Sequence, residues 1–170
     1  MLHVLNGDAT RVHLEQSGIT GVLTVWADVL HDGPVPIGVS PEEFRRVRSR
    51  YPSTRLDMPQ SQLLAICSAW DQGLERFREH EEVVFWFEHD LFDQLILIRH
   101  LHWLTAIDRS TTRFSLICRG SFPGVADFTG LGALTPAQLA GLLPERELLT
   151  TDRIRTGCAA WKKFCAPEPR

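Results

Sequence analysis

The sequence predicts an α/β domain built on a mostly parallel sheet, and three observations carry that prediction. Strand-type and helix-type segments alternate along the chain. One strand, Val83-Val84-Phe85-Trp86-Phe87, is apolar at every position, as a central parallel strand covered on both faces must be. The segments between strands are long enough to hold crossover helices. A mixed sheet with one antiparallel edge fits the same pattern.

Each element has its own signal. Leu2–Leu5 is a short apolar strand that stops at the turn Asn6-Gly7-Asp8, and Ala9–Gln16 reads as helix. Gly21–Trp26 is rich in β-branched and aromatic residues and reads as the second strand. Ser40-Pro41-Glu42-Glu43 is a strong helix start, with Ser40 as N-cap and Glu43 placed to close a capping box. Gln60–His80 carries Leu63, Leu64, Cys67, Trp70, Leu74 and Phe77 at helical spacing. After Val83–Phe87 comes a helix over Leu91–Leu104, then a strand at Phe114–Cys118. A short helix starts at Thr135-Pro136, and a last helix runs through Trp161. Residues 1–150 are expected to form the α/β domain and 151–170 a helical appendage.

Composition narrows the functional classes. The chain has 170 residues, of which 44% are hydrophobic and 23% charged, an ordinary globular balance that argues against disorder. Eighteen basic against 21 acidic residues give a net charge of −3. A uniformly basic nucleic-acid coat is excluded, and nucleic acid is an unlikely partner. No apolar run approaches the roughly 18–20 residues that span a bilayer, so no membrane association is expected. Cys67, Cys118, Cys158 and Cys165 are scattered without metal-site spacing, which suits reduced thiols and a cytoplasmic location. There is no Walker motif, nucleophile elbow or HExxH helix. A homodimer stays open.

In open α/β sheets ligands sit at the carboxyl ends of the strands, and three strands here end in unusual polar sequence. Asn6-Gly7-Asp8 precedes a helix, where Gly7 allows a tight turn and free backbone N–H groups await an anion; an ordinary turn with Asp8 or Thr10 as N-cap is the alternative. Asp28-Val29-Leu30-His31-Asp32-Gly33-Pro34-Val35-Pro36 sets two carboxylates and a histidine on a loop stiffened by proline, either as a site or as an Ω-type structural loop. Glu88-His89-Asp90-Leu91-Phe92-Asp93-Gln94 spaces His89 and Asp93 four apart, so that they can share a metal or let the carboxylate orient the imidazole. Asp90 as N-cap and Asp93 as a first-turn charge are the plainer roles. Arg45, Arg46, Arg48, Arg50 and Arg55 make a basic patch that either captures phosphate or is a solvated helix face balanced by Glu42 and Glu43. Convergence of these segments predicts one cleft. His31, His89, Asp90 and Asp93 would be its acid–base groups, Asn6, Gly7, Asp8, Asp28, Arg45 and Arg48 its ligand-binding residues, and Asp8 and Asp90 the ligands of a Mg²⁺ ion. In that case Asp28→Asn would relieve repulsion and leave stability unchanged or higher.

Three of these stretches also carry a resemblance. Asn6-Gly7-Asp8, Val25–Pro36 and Phe85–Leu95, together with Gly132–Leu139 and Ala160-Trp161, resemble the bacterial family catalogued as domain of unknown function 1835. The resemblance covers nearly the whole chain. It implies a three-layer Rossmann-like domain with a mostly parallel sheet of about four or five strands. It also implies a short member, without the second helical region that often follows the Ala-Trp segment. It carries no activity. Two function classes therefore stand: a metal-assisted enzyme acting on a phosphorylated or nucleotide-like small molecule, and a non-catalytic ligand-sensing or protein-interaction module.

Overall fold

The computed structural model describes residues 1–53 and 57–166. In chain order these form β1 (Leu2–Leu5), α1 (Asp8–Glu15), β2 (Val22–Val25), α2 (Pro41–Ser53), α3 (Gln60–Glu75), β3 (Glu82–Glu88), α4 (Leu91–Trp103), β4 (Arg113–Arg119), α5 (Pro136–Leu142), β5 (Glu147–Leu148) and α6 (Thr151–Phe164). The sheet order is β2-β1-β3-β4-β5. The first four strands are parallel, and β5 adds a short antiparallel edge to β4. The architecture is a three-layer Rossmann-like fold.

All seven residues of β3 are buried, as its unbroken apolar run requires. Val83, Phe85 and Phe87 face a core formed with Phe44 of α2, Leu74 of α3, Leu95 and Leu101 of α4, and Trp161 of α6. Val84 and Trp86 face the opposite core, with Leu14 of α1 and Leu139 and Leu142 of α5. Each such side chain contributes about 1.5–3 kcal/mol of burial. The chain therefore moves from β1 to β2 with α1 on one face. It then returns across β1 to β3 and on to β4 with its helices on the other face. Between β1 and β3 the winding reverses, and the carboxyl ends of these neighbours open a crevice.

Some local expectations change. Ser40 does cap α2, its Oγ accepting from Glu43 N at 3.1 Å, but the Glu43 carboxylate turns to Arg46 instead of closing a box. The capping box appears at Thr135 and Gln138 at the start of α5. The long helix expected over 60–80 breaks at Glu75 into a 3₁₀ turn. Among the described residues no helix is long and apolar enough to cross a membrane.

Two histidines are buried uncharged, one on each side of the sheet. Trp86 Nε1 donates to His3 Nδ1 at 3.1 Å, which makes His3 a neutral acceptor there, and burial lowers its pKa. His100 Nδ1 donates to Ile96 O at 2.7 Å, and its ring packs against Trp26, Phe85 and Phe87. Burial pushes its pKa down to about 3 from 6.5. The unfolded chain thus takes up a proton below pH 6.5 that the folded chain refuses until about pH 3, so this residue costs stability as pH falls through that window. His100→Phe is expected to flatten the loss of stability between pH 6.5 and 5 by up to about 1.4 kcal/mol per pH unit, read by urea unfolding. An unchanged slope would show that the imidazole already charges in the fold.

Candidate functional site

The crevice at the reversal is bridged by one amide. Asn6 follows β1 directly, and its Nδ2 donates to Asp93 Oδ2 at 2.9 Å and to Glu88 Oε1 at 3.3 Å. Thr10 Oγ1 on α1 donates to Asn6 Oδ1 at 3.3 Å. Glu88 closes β3. Its backbone N–H donates to Asp93 Oδ2, and its Oε1 accepts the backbone N–H of Leu131, both at 2.6 Å. Gly130 makes this last contact possible. It has φ +134°, and a Cβ there would sit 2.5 Å from Glu88 Oε2. The segment after β4 is thereby drawn over the carboxylate.

Two acids held this close in the interior resist ionisation. Burial raises the Asp93 carboxyl to about 7, with the Glu88 charge adding to the shift and the Asn6 bond opposing it. Glu88 is raised by burial too, against the bonds from Leu131 and Asn6. Asp93 is fully buried and its Oδ1 has no partner, so the carboxyl can hold its proton there at neutral pH. Above the acids lies a cleft of about 340 Å³, bounded by Gly7, Ala9 and Thr10 on one side and by Glu88, Thr129 and Gly130 on the other. α1 points its amino end into this cleft. Gly7 is the N-cap and makes no side-chain cap bond, so the first N–H groups of α1 have no partner within the helix.

The structure brings some of the expected residues together and separates others. Asn6, Gly7 and Asp93 meet at the crevice, with Asp93 beneath it. Gly7 is extended, with φ −179°, so no glycine turn is used there. A Cβ at Gly7 would meet nothing within 4 Å, and the missing side chain simply keeps the cleft open. Asp8 is exposed and pairs with Arg11 at 2.9 Å. Asp90 is the N-cap of α4, accepting the Asp93 N–H at 2.8 Å. His89 lies outside α4, so it shares no helix face with Asp93. It borders a different cleft of about 230 Å³ with Cys118, Arg119 and Glu145. His31 is exposed and stands edge-on to the Phe92 ring.

Asp28 and Arg48 turn inward on each other. Arg48 Nε and Nη2 donate to the two oxygens of Asp28 at 2.8 and 2.7 Å. Its remaining N–H groups reach Val29 O, Asp32 O and Pro34 O. All five guanidinium donors are thus engaged. Arg48 is a staple for the 28–34 loop, where Gly33 takes φ +79°, and neither residue is free to bind phosphate. Arg45 pairs with Asp71 at 2.8 Å, and Arg46 with Glu43 at 2.6 Å. Arg55 lies outside the described residues.

The expected Mg²⁺ ligands do not fit one ion: Asp8 is held by Arg11, and Asp90 caps a helix. Among the described residues no group of three or more His, Cys, Asp or Glu side chains is placed to hold a metal. Glu88, Thr10 and Gly130-Leu131 are the site residues that sequence reading passed over. Glu88 had a usable signal: it continues the Val84–Trp86 alternation, which places its carboxylate on the buried face below α1. No family model, curated protein or solved structure matches this chain.

Two outcomes test this geometry. Asp93 has a folded pKa above its unfolded value of 3.8, so its contribution is complete below about pH 4 and is lost as pH rises through 7. Asp93→Asn should remove a decline of up to about 1.4 kcal/mol per pH unit across that window, measured by denaturant titration at several pH values. Retention of the wild-type decline would place the proton elsewhere. Asp28→Asn should now destabilise the fold by about 2 kcal/mol or more, because it leaves a buried guanidinium without its counter-charge. An unchanged melting temperature would restore Asp28 as a candidate ligand group.

Proposed function

We propose that the β1/β3 crevice binds a small phosphorylated, hydroxyl-bearing molecule of nucleotide or sugar-phosphate type. The observation that carries this reading is the uncapped amino end of α1 facing the Glu88 carboxylate across one cleft. The free amides and the helix dipole suit a phosphate group. The carboxylate suits a hydroxyl, as acidic residues do at comparable switch points. Glu88 is the group we assign to exchange a proton with that hydroxyl, its affinity for the proton raised by burial and by the Asp90 charge. Pairing of Arg45, Arg46 and Arg48 within the protein removes the main support for nucleic acid as a partner.

A second reading, a ligand-sensing module without catalysis, is favoured by one specific observation. Asn6, Glu88 and Asp93 are mutually hydrogen-bonded, which suits a rigid receptor. It calls for the same ligand and no turnover. We also propose membership in the bacterial family catalogued as domain of unknown function 1835. In support, the stretches that carry the resemblance include Asn6, Glu88 and Asp93 as well as Gly132, whose backbone packs against Ala9 at the cleft.

The test is thermal unfolding with nucleoside monophosphates and diphosphates, sugar phosphates and inorganic phosphate. A true ligand at a hundred times its Kd stabilises the fold by about 2.7 kcal/mol. Gly7→Leu should abolish that gain at no more basal cost than the loss of a glycine N-cap, since the position is extended and open. If no phosphorylated compound stabilises the wild type, or if Gly7→Leu leaves binding intact, the site assignment fails.

A further inference from the structure

A second cavity lies on the opposite face of the sheet, between the 36–39 loop and helices α2, α3, α4 and α6. Its volume is about 260 Å³. Phe44, Leu74, Trp103 and Trp161 form much of its wall, and the exposed apolar side chains of Ile37 and Val39 stand at its mouth. One cation reaches into this setting. The Arg99 side chain is 14% exposed and its guanidinium stands over two rings, with Cζ 4.2 Å from the centre of Trp26 and 4.7 Å from that of Phe44.

The guanidinium of Arg99 has no hydrogen-bond partner among the described residues. Its nearest carboxylate, Asp71, is 3.8 Å away and already engaged: Asp71 Oδ1 accepts from Trp26 Nε1, and Oδ2 accepts from Arg45 Nη1. One carboxylate thus serves two guanidinium groups. Glu75, the other acid at the cavity, is exposed. His102, also on the wall, is shifted toward its neutral form by burial and by the charges of Lys162 and Arg99. The contrast with Arg48 is instructive. Arg48 is buried with every donor satisfied, whereas Arg99 is only partly buried, borders the cavity and makes no hydrogen bond among the described residues. Guanidinium donors that face a cavity without a protein partner are open to an incoming anion, which they hold by charge-assisted hydrogen bonds.

We propose that this cavity is a binding site for a small monocarboxylate with an aromatic or branched apolar body. The carboxylate would take the planar fork of Arg99 in a bidentate pair, and the body would lie between Trp103, Trp161 and Phe44. Inorganic phosphate is a poorer fit because most of the wall is apolar, and the polar groups there besides Arg99 are the acids Asp71 and Glu75 and the imidazole of His102. The site stands apart from the β1/β3 crevice and does not rest on the function proposed there.

Phenylacetate is the probe, with tryptophan fluorescence and thermal unfolding as readouts. Phenylacetate should give a saturable fluorescence change and a rise in melting temperature. Phenylacetamide, equal in shape and uncharged, should bind about tenfold or more weakly, as loss of a charge-assisted pair demands. Arg99→Lys should weaken phenylacetate to a similar degree while leaving any phosphate-ester binding at the crevice unchanged. The comparison of acid with amide in the wild type stands even if the variant folds poorly. Equal binding of acid and amide, no binding of phenylacetate up to its solubility limit, or preferential Arg99-dependent binding of inorganic phosphate would each overturn the proposal.

Discussion

Asn6 joins two carboxylates across the line where the sheet changes its winding direction, and much of the molecule is arranged by that join. A parallel sheet that reverses between neighbouring strands leaves a gap at their carboxyl ends, because the following helices depart to opposite faces. Here the gap holds the Asn6 amide, with Glu88 on one side and Asp93 on the other. Asn6 is tied to the start of α1 through Thr10, and the acids it joins make the other bonds: Asp93 accepts from the end of β3 and donates its N–H to the Asp90 cap of α4, and Glu88 accepts from Leu131. Hydrogen bonds to charged groups contribute about 1.5–3 kcal/mol each, and an acid buried without them costs more than that. The positions of four separate chain segments therefore depend on Asn6, Glu88 and Asp93 acting together.

What the sequence made legible follows the range of the interactions involved. The central strand was legible because burial on both faces demands apolar residues at every position from Val83 to Phe87. The starts of α2 and α5 were legible because caps act over three residues, although the box expected at Ser40 formed at Thr135 instead. Asp90 as N-cap was one of two roles its position allowed, and the local role won. Pairings across long separations were not legible. Nothing near Asp28 in the chain indicates that Arg48, twenty residues on, will satisfy it, nor that Asp71 will claim Arg45. Both carboxylates at the crevice lie in the Glu88–Gln94 stretch, and it is Glu88, continuing the alternation of β3 past Phe87, that lines the cleft while Asp90 caps α4. The edge strand β5 escaped notice since two residues carry no periodicity.

The two arginines explain why a basic cluster is a poor guide to anion binding. Charge alone marks the run Arg45, Arg46, Arg48, Arg50 and Arg55, and Arg45, Arg46 and Arg48 pair within the fold. Arg99, which makes no hydrogen bond among the described residues, sits in an apolar helix between Ile98 and His100 and stands out only once its surroundings are known. What distinguishes a ligand-seeking arginine is the state of its five donors, and that is a property of the packed structure.

Buried titrating groups of opposite sense bear on what the crevice is for. The neutral imidazoles of His3 and His100 make the fold less stable as pH falls, and the neutral carboxyl of Asp93 makes it less stable as pH rises toward 7. The histidines have structural reasons: one accepts from Trp86, and the other fills a space among three rings. Asp93 has a structural reason for only one of its oxygens. Oδ2 joins Asn6 to β3, while Oδ1 is buried without a partner beside a second acid. An asparagine would supply the same accepting oxygen without the titration. Replacing buried ionisable groups by neutral ones is commonly neutral or stabilising. An acid held there, next to Glu88 and under an open cleft, is what the proposed proton exchange with a bound hydroxyl would call for, and the stability of the fold alone does not call for it.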